Sequence, residues 1–126
     1  IAAMGGNVGV QSAAIVVQGI ANNTIQSHTI LNKLIKELGV ALLNGLVCSI
    51  LIFISTLALN YNLLISITVS VSLLSVIIFA ALFGTFVPLT LNKYKIDPAL
   101  ATGPFITTVN DILGLFIYFT IGQMIL

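Results

Sequence analysis

The sequence predicts an all-α fold, a polytopic bundle of membrane helices, on three observations. Only 6% of its 126 residues are charged and 59% are hydrophobic, whereas soluble domains carry about 25% charged residues. Mean hydropathy is +1.21, and no residue between Leu38 and Asn92 bears a charge. The apolar runs are long and continuous, unlike the period-two segments of about ten residues that build a transmembrane barrel. Four lysines (Lys33, Lys36, Lys93, Lys95) and three carboxylates (Glu37, Asp97, Asp111) cannot coat a soluble globule of this size, which excludes a soluble enzyme or a secreted module. The apolar content likewise excludes a disordered chain.

In chain order, Ile1 to about Ala21 is apolar, short and rich in glycine (Gly5, Gly6, Gly9, Gly19), and reads as the tail of a partial helix over 1–21. The polar stretch 22–37 reads as a connection, with Leu31, Leu34, Ile35 and Leu38 on one helical face of a short interfacial helix leading into the membrane. Residues 38–59 form the first full helix, about 33 Å long against a hydrocarbon core of about 30 Å. Asn60-Tyr61-Asn62 breaks the apolar run, its asparagines suited to end both helices and its tyrosine to sit at the interface. A longer, tilted helix follows over 64–91. Residues 92–97 form a second connection, and 98–126 a third full helix, opened by Asp97 as cap and Pro98 in the first turn. Gly103-Pro104 breaks or kinks that helix early. The whole chain, 1–126, is thus one transmembrane domain, and the internal position of several apolar runs excludes a signal peptide.

An even number of crossings separates the two lysine-bearing connections, so both lie on one side. The positive-inside rule makes that side cytoplasmic. With net charge +1 and no basic stripe, nucleic-acid binding is excluded. The lone Cys48 supports neither a disulfide nor a thiolate metal cluster, and reads as a small apolar side chain. No serine–histidine–acid set, HExxH or phosphate-cradling loop occurs, so no enzyme is expected. His28 has no partners at ligand spacing and reads as solvated, while Glu37 beside Lys33 and Lys36 reads as a salt-bridge partner at the interface. Phe53, Phe79, Phe83 and Phe86 read as lipid-facing or packing residues.

Asp111 carries the chemistry. A carboxylate deep in a bilayer costs at least about 2.5 to 3.5 kcal/mol and normally faces a cavity, a partner or an ion. No intramembrane cation is available to pair with it, so the alternatives are an ion-binding role or a structural one, protonated or bonded to asparagine and threonine. Thr107, Thr108 and Asn110 add oxygen donors, and Gly103 with Pro104 can free backbone carbonyls toward a pore. An all-oxygen set suits Mg²⁺ or Ca²⁺. One carboxylate cannot strip the waters from Mg²⁺, so a hydrated ion is expected, and two chains about one axis would bring two carboxylates to it. At the other end, Gly5-Gly6-Asn7-Val8-Gly9-Val10-Gln11 permits close helix approach and sets Asn7 and Gln11 on one face. Asp97 is either a helix cap or a cation-attracting carboxylate at the cytoplasmic mouth.

These two stretches resemble the membrane domain of the MgtE family of magnesium transporters and channels. The first matches the family's GGN-x-G-x-Q pattern. The second runs from Asp97-Pro98-Ala99-Leu100 through Gly103-Pro104, Thr107-Thr108, Asn110-Asp111 and Gly114 to Ile117-Tyr118-Phe119, and Lys36-Glu37-Leu38 with Leu43-Asn44-Gly45 resembles the start of the family's middle helix. The resemblance implies a homodimeric five-helix domain in the cell membrane, of which this chain is part, with hydrated Mg²⁺ at Asp111 and backbone oxygen near Thr107. Asp97 would sit toward the entrance, and Asn7, Gln11, Gly103, Thr108 and Asn110 would line the pore. The family's first helix, the start of its second and its cytoplasmic regulatory domains have no counterpart in this sequence, and Gln18, Val8 and Val10 depart from its usual residues. The expected function is therefore passive entry of Mg²⁺, as transported ion and ligand, into the cytoplasm through a dimeric pore in contact with lipid. Na⁺- or H⁺-coupled exchange or efflux, and a non-transporting membrane subunit, are the alternatives.

Overall fold

The computed structural model describes residues 1–23 and 30–126. Along the chain lie α1 (Ala2–Ala21), α2 (Ile30–Ala58), α3 (Leu63–Lys93), a short 3₁₀ turn (Pro98–Ala101) and α4 (Pro104–Ile125). No strand occurs among the described residues. Three stretches, Leu31–Ala58, Leu63–Lys93 and Pro98–Ile125, are long and apolar enough to cross a membrane, and the protein is an integral, multi-pass membrane protein.

The helix ends follow from particular side chains. Asn60 takes a left-handed conformation (φ 63°), which asparagine tolerates better than most residues. There the Tyr61 N–H donates to the Thr56 carbonyl and the Asn60 N–H to the Leu57 carbonyl, both at 3.0 Å, the paired closure of a Schellman motif. Asn62 then caps α3, its Oδ1 accepting from the Leu64 N–H at 3.0 Å. Lys95 (φ 59°) ends α3 in the same way, with Ile96 N–H bonded to Leu91 O at 2.9 Å and Lys95 N–H to Asn92 O at 3.1 Å. Hydroxyls inside the apolar helices largely turn back on their own backbone, as in Thr68 to Leu64 O and Ser70 to Ser66 O at 2.7 Å, the local solution to a polar group in lipid.

Two segments differ from the sequence reading. The interfacial helix expected ahead of residue 38 is not separate: α2 runs without a break from Ile30, because Leu31, Leu34, Ile35 and Leu38 continue the apolar face and no proline interrupts it. Residues 24–29, with His28, lie outside the described residues. The break or kink expected at Gly103-Pro104 is a full break that divides the helix read over 98–126, and Asp97 caps only the 3₁₀ turn, through Ala99 N–H to Asp97 Oδ1 at 3.0 Å. The chain then turns at Gly103, whose φ of 61° favours glycine, and α4 starts afresh at Pro104.

α3 is the central helix: it packs against α1, α2 and α4, and α1 packs also on α4. Its apolar window is 39% buried, against 17% for those of α2 and of the α4 span. Buried positions fall on two neighbouring ridges at spacing four, Ser72, Val76, Ala80, Gly84, Pro88 and Leu73, Ile77, Ala81, Thr85, Leu89, the i±4 rows used in helix packing. The first ridge shrinks to glycine where α1 crosses. A Cβ on Gly84 would run into the Gly9 carbonyl oxygen and come within 3.0 Å of Gly9 Cα, so here the two backbones touch. Pro88, four residues on, has no N–H to offer the Gly84 carbonyl.

Candidate ion site between α1 and α4

The glycines of α1 place its backbone directly on the site. A Cβ on Gly6 would stand 2.8 Å from Asp111 Oδ1 and 3.3 Å from Thr107 Cγ2, while one on Gly9 would overlap the Asn110 amide. Thus three buried glycines, Gly5, Gly6 and Gly9, let α1 lie against the polar turn of α4, and the close packing and the site are one feature. Asp111 stands seven residues into α4, about 10 Å from its start along a 22-residue helix. That is about a third of the way along, shallower than an unbroken helix from Pro98 would put it.

Asp111 is half-buried. Its Oδ1 is fully covered and has no hydrogen-bond partner. A covered carboxylate oxygen without a donor is costly; Oδ1 is closed off by α1 at Gly6, and Oδ2, not among the covered atoms, is the oxygen left for an ion or its water shell. One turn before it, Thr107 donates its hydroxyl to the Gly103 carbonyl at 3.1 Å, which leaves only oxygen lone pairs on that side chain to face a ligand. The Thr107 N–H also bonds to Gly103 O, at 3.1 Å. The Gly103 carbonyl, expected to be freed toward a pore, is therefore engaged by the first turn of α4.

A groove of about 660 Å³ opens beside these residues, with Asn7, Gln11, Gly103, Thr107 and Thr108 in its walls. Asn7 and Gln11, one turn apart on α1, face Thr107 and Thr108 on α4, so amides and hydroxyls stand among the apolar walls that Val10, Ala14 and Pro104 supply. Asn110 does not join it. It belongs to the stripe Ile106, Asn110, Gly114 that α4 buries, and is 1% exposed, with neither amide atom partnered. Asp97 stands apart from the groove as an exposed cap of the 3₁₀ turn.

Glu37 has a different partner from the lysines expected. Ser12, buried on α1, donates its hydroxyl to Glu37 Oε1 at 2.9 Å, and both border a pocket of about 230 Å³ shared with Gln11, Lys33 and Asn44. Gln11 lines this pocket as well as the groove, so α2 is tied to α1 one residue from a groove side chain. The sequence held the residues but not the pairing, since Ser12 and Glu37 are 25 positions apart. Glu37→Ala leaves Ser12 buried without its acceptor and is expected to cost about 1 to 3 kcal/mol, while Glu37→Gln keeps a carbonyl acceptor and most of that stability. Thermal unfolding in detergent should rank the native protein and Glu37→Gln together, above Glu37→Ala.

Among known proteins, the family model for MgtE, described as a divalent cation transporter, matches residues 1–121. The magnesium transporter MgtE of Bacillus subtilis is 40% identical over 122 residues, covering 97% of this chain and 27% of that protein. Those of Thermus thermophilus and Enterococcus faecalis are 34% and 33% identical, over 97% and 94% of this chain and 27% and 26% of their own length. The chain thus spans about a quarter of the length of the curated relatives it matches.

Proposed function

The chain belongs to the MgtE family of divalent cation transporters, and on that premise we propose that it forms part of a path by which Mg²⁺ passes through the membrane into the cytoplasm. The observation that carries this reading is the Asp111 carboxylate, one oxygen covered and unpartnered, one turn from Thr107, which with Asn7, Gln11 and Thr108 puts neutral oxygen and nitrogen groups into the wall of a groove. The relatives named magnesium transporters support Mg²⁺ as the ion.

One carboxylate supplies too little charge and too few ligands to replace the water shell of Mg²⁺, which is lost reluctantly. The ion therefore passes hydrated, its waters donating to Asp111, to the Thr107 and Thr108 hydroxyls and to the Asn7 and Gln11 amide oxygens. The groove is open on one side of the chain. A second copy related by a two-fold axis would close it and bring a second Asp111 to the same ion, the arrangement of a homodimeric pore. The lysine-bearing ends of α2 and α3 face the cytoplasm, where Asp97, one oxygen held by Ala99 N–H, keeps a second oxygen to attract cations at the mouth.

With the cytoplasm negative, each charge gains about 2.3 kcal/mol per 100 mV, and a divalent ion twice that, so no coupling ion is needed for entry. The test is Mg²⁺ flux into proteoliposomes of the full-length protein, with an interior-negative potential of about 100 mV and no Na⁺ or pH gradient. Entry that steepens with potential is expected. Flux that appears only against an opposing Na⁺ or proton gradient would replace passive entry by exchange, and a folded protein without flux under either regime would make it a non-transporting subunit.

A further inference from the structure

Away from the ion groove, α2 and α3 leave a trough between them whose polarity changes once along its length. Its inner part, about 450 Å³, is walled only by aliphatic and aromatic side chains, including Leu34, Phe79, Phe83 and Phe86. Phe79 and Phe83 stack within it, ring centroids 5.7 Å apart and planes 14° from parallel. Leu34 and Phe86 also line an adjoining space of about 340 Å³, which ends at Lys93 and Tyr94. The two spaces are therefore one continuous trough, apolar at depth and basic with a phenol hydroxyl at its mouth.

We propose that this trough binds one anionic phospholipid, an acyl chain lying along Phe79, Phe83 and Phe86 and the phosphate-bearing headgroup at Lys93 and Tyr94. Three features argue for that occupant. From Phe79 to Lys93 is 14 residues of helix, about 21 Å, and half of a bilayer of about 40 to 45 Å including headgroups is about the same; the trough is one leaflet deep. Lys93 lines the mouth itself, and the other three lysines belong to the same helix ends, Lys33, on the side of the α1 pocket, and Lys36 in the first turns of α2 and Lys95 just past α3, against only Glu37 and Asp97. Such an excess of positive charge between helix ends selects an anionic headgroup. The volume, finally, suits a chain and not a helix, which at about 10 Å diameter over the same length would need about 1,600 Å³.

The chain contains no tryptophan, so Phe86→Trp places a single reporter of this chain where the two spaces meet, at a residue that is 47% exposed. Quenching is measured in vesicles containing phosphatidylglycerol or phosphatidylcholine with brominated acyl chains, in the full-length protein. Phosphatidylglycerol should compete for the site about fivefold better, the effect of one lysine at a membrane surface. Lys93→Gln should abolish that preference, and Leu43→Trp, on the outer face of α2, should show none. Equal quenching by the two lipids at position 86 would reduce the trough to ordinary bilayer contact. Loss of quenching there, with position 43 still quenched, would mean that a protein segment covers it. Preference surviving Lys93→Gln would remove Lys93 as the headgroup ligand. On the unsubstituted protein, native mass spectrometry should find bound phosphatidylglycerol enriched over its share of the membrane, and bound lipid in membrane proportion would overturn the proposal.

Discussion

Gly84→Ala is expected to separate α1 from α3 and to cost about 3 kcal/mol or more, the upper end of overpacking penalties. The added methyl would meet backbone, the Gly9 carbonyl oxygen and, at 3.0 Å, Gly9 Cα. A side chain could rotate aside; a helix backbone has to translate. That translation would loosen the adjoining contact at Gly5, where a Cβ would lie only 2.6 Å from Val76 Cγ1, and withdraw Gly6 from Asp111. Gly39→Ala, the same chemical change on α2, has nothing within 4 Å of the new methyl. It should be neutral or stabilising by about 0.5 to 1 kcal/mol, the ordinary gain of alanine over glycine within a helix. Thermal unfolding of both variants decides it: Gly84→Ala as stable as Gly39→Ala would mean that the two helices do not meet at these glycines.

That contrast also marks what a sequence can disclose. The Asn60-Tyr61-Asn62 break is legible because left-handed asparagine and an asparagine cap are local devices, complete within a few residues. Asp111 is legible because a lone carboxylate in an apolar run is costly to insert unless an ion or a polar partner meets it. Its depth was not, since the restart of α4 at Pro104 depends on how Gly103 turns after the 3₁₀ segment. Asn110 illustrates a finer limit. The stripes Ile106-Asn110-Gly114 and Thr107-Asp111 lie side by side on one helix, and only the crossing of α1 decides which of them is sealed in the interior. The smallness of Ala80 and Gly84 at spacing four was a readable sign of that crossing. The Ser12–Glu37 bond had no local signature, because it forms between helices 25 positions apart.

Asp111→Asn is expected to lower the apparent affinity for Mg²⁺ about 100-fold and to bring flux near background at low ion concentration, with the fold intact. Asparagine has almost the same volume and keeps one carbonyl oxygen at the position facing Gly6, so helix packing is preserved and the change isolates charge. A unit charge at about 4 Å from another is worth about 4 kcal/mol at an effective dielectric constant of 20, doubled for a divalent ion. Much of that is offset by the water the groove displaces or reorients, and losing the charged partner of a desolvated contact typically costs about 2 to 5 kcal/mol. A net of about 3 kcal/mol corresponds to the 100-fold change. Asp111→Glu restores the charge but extends the side chain by one methylene toward Gly6, whose neighbourhood already holds Oδ1 at 2.8 Å from an added Cβ. It should therefore recover only part of the affinity. If charge at this position is what draws the ion, the order of flux in proteoliposomes is Asp, then Glu, then Asn, with equal amounts of folded protein in each. Asn equal to Asp would take Asp111 out of the ion path, and Glu no better than Asn would make geometry against Gly6, and not charge, the limiting term.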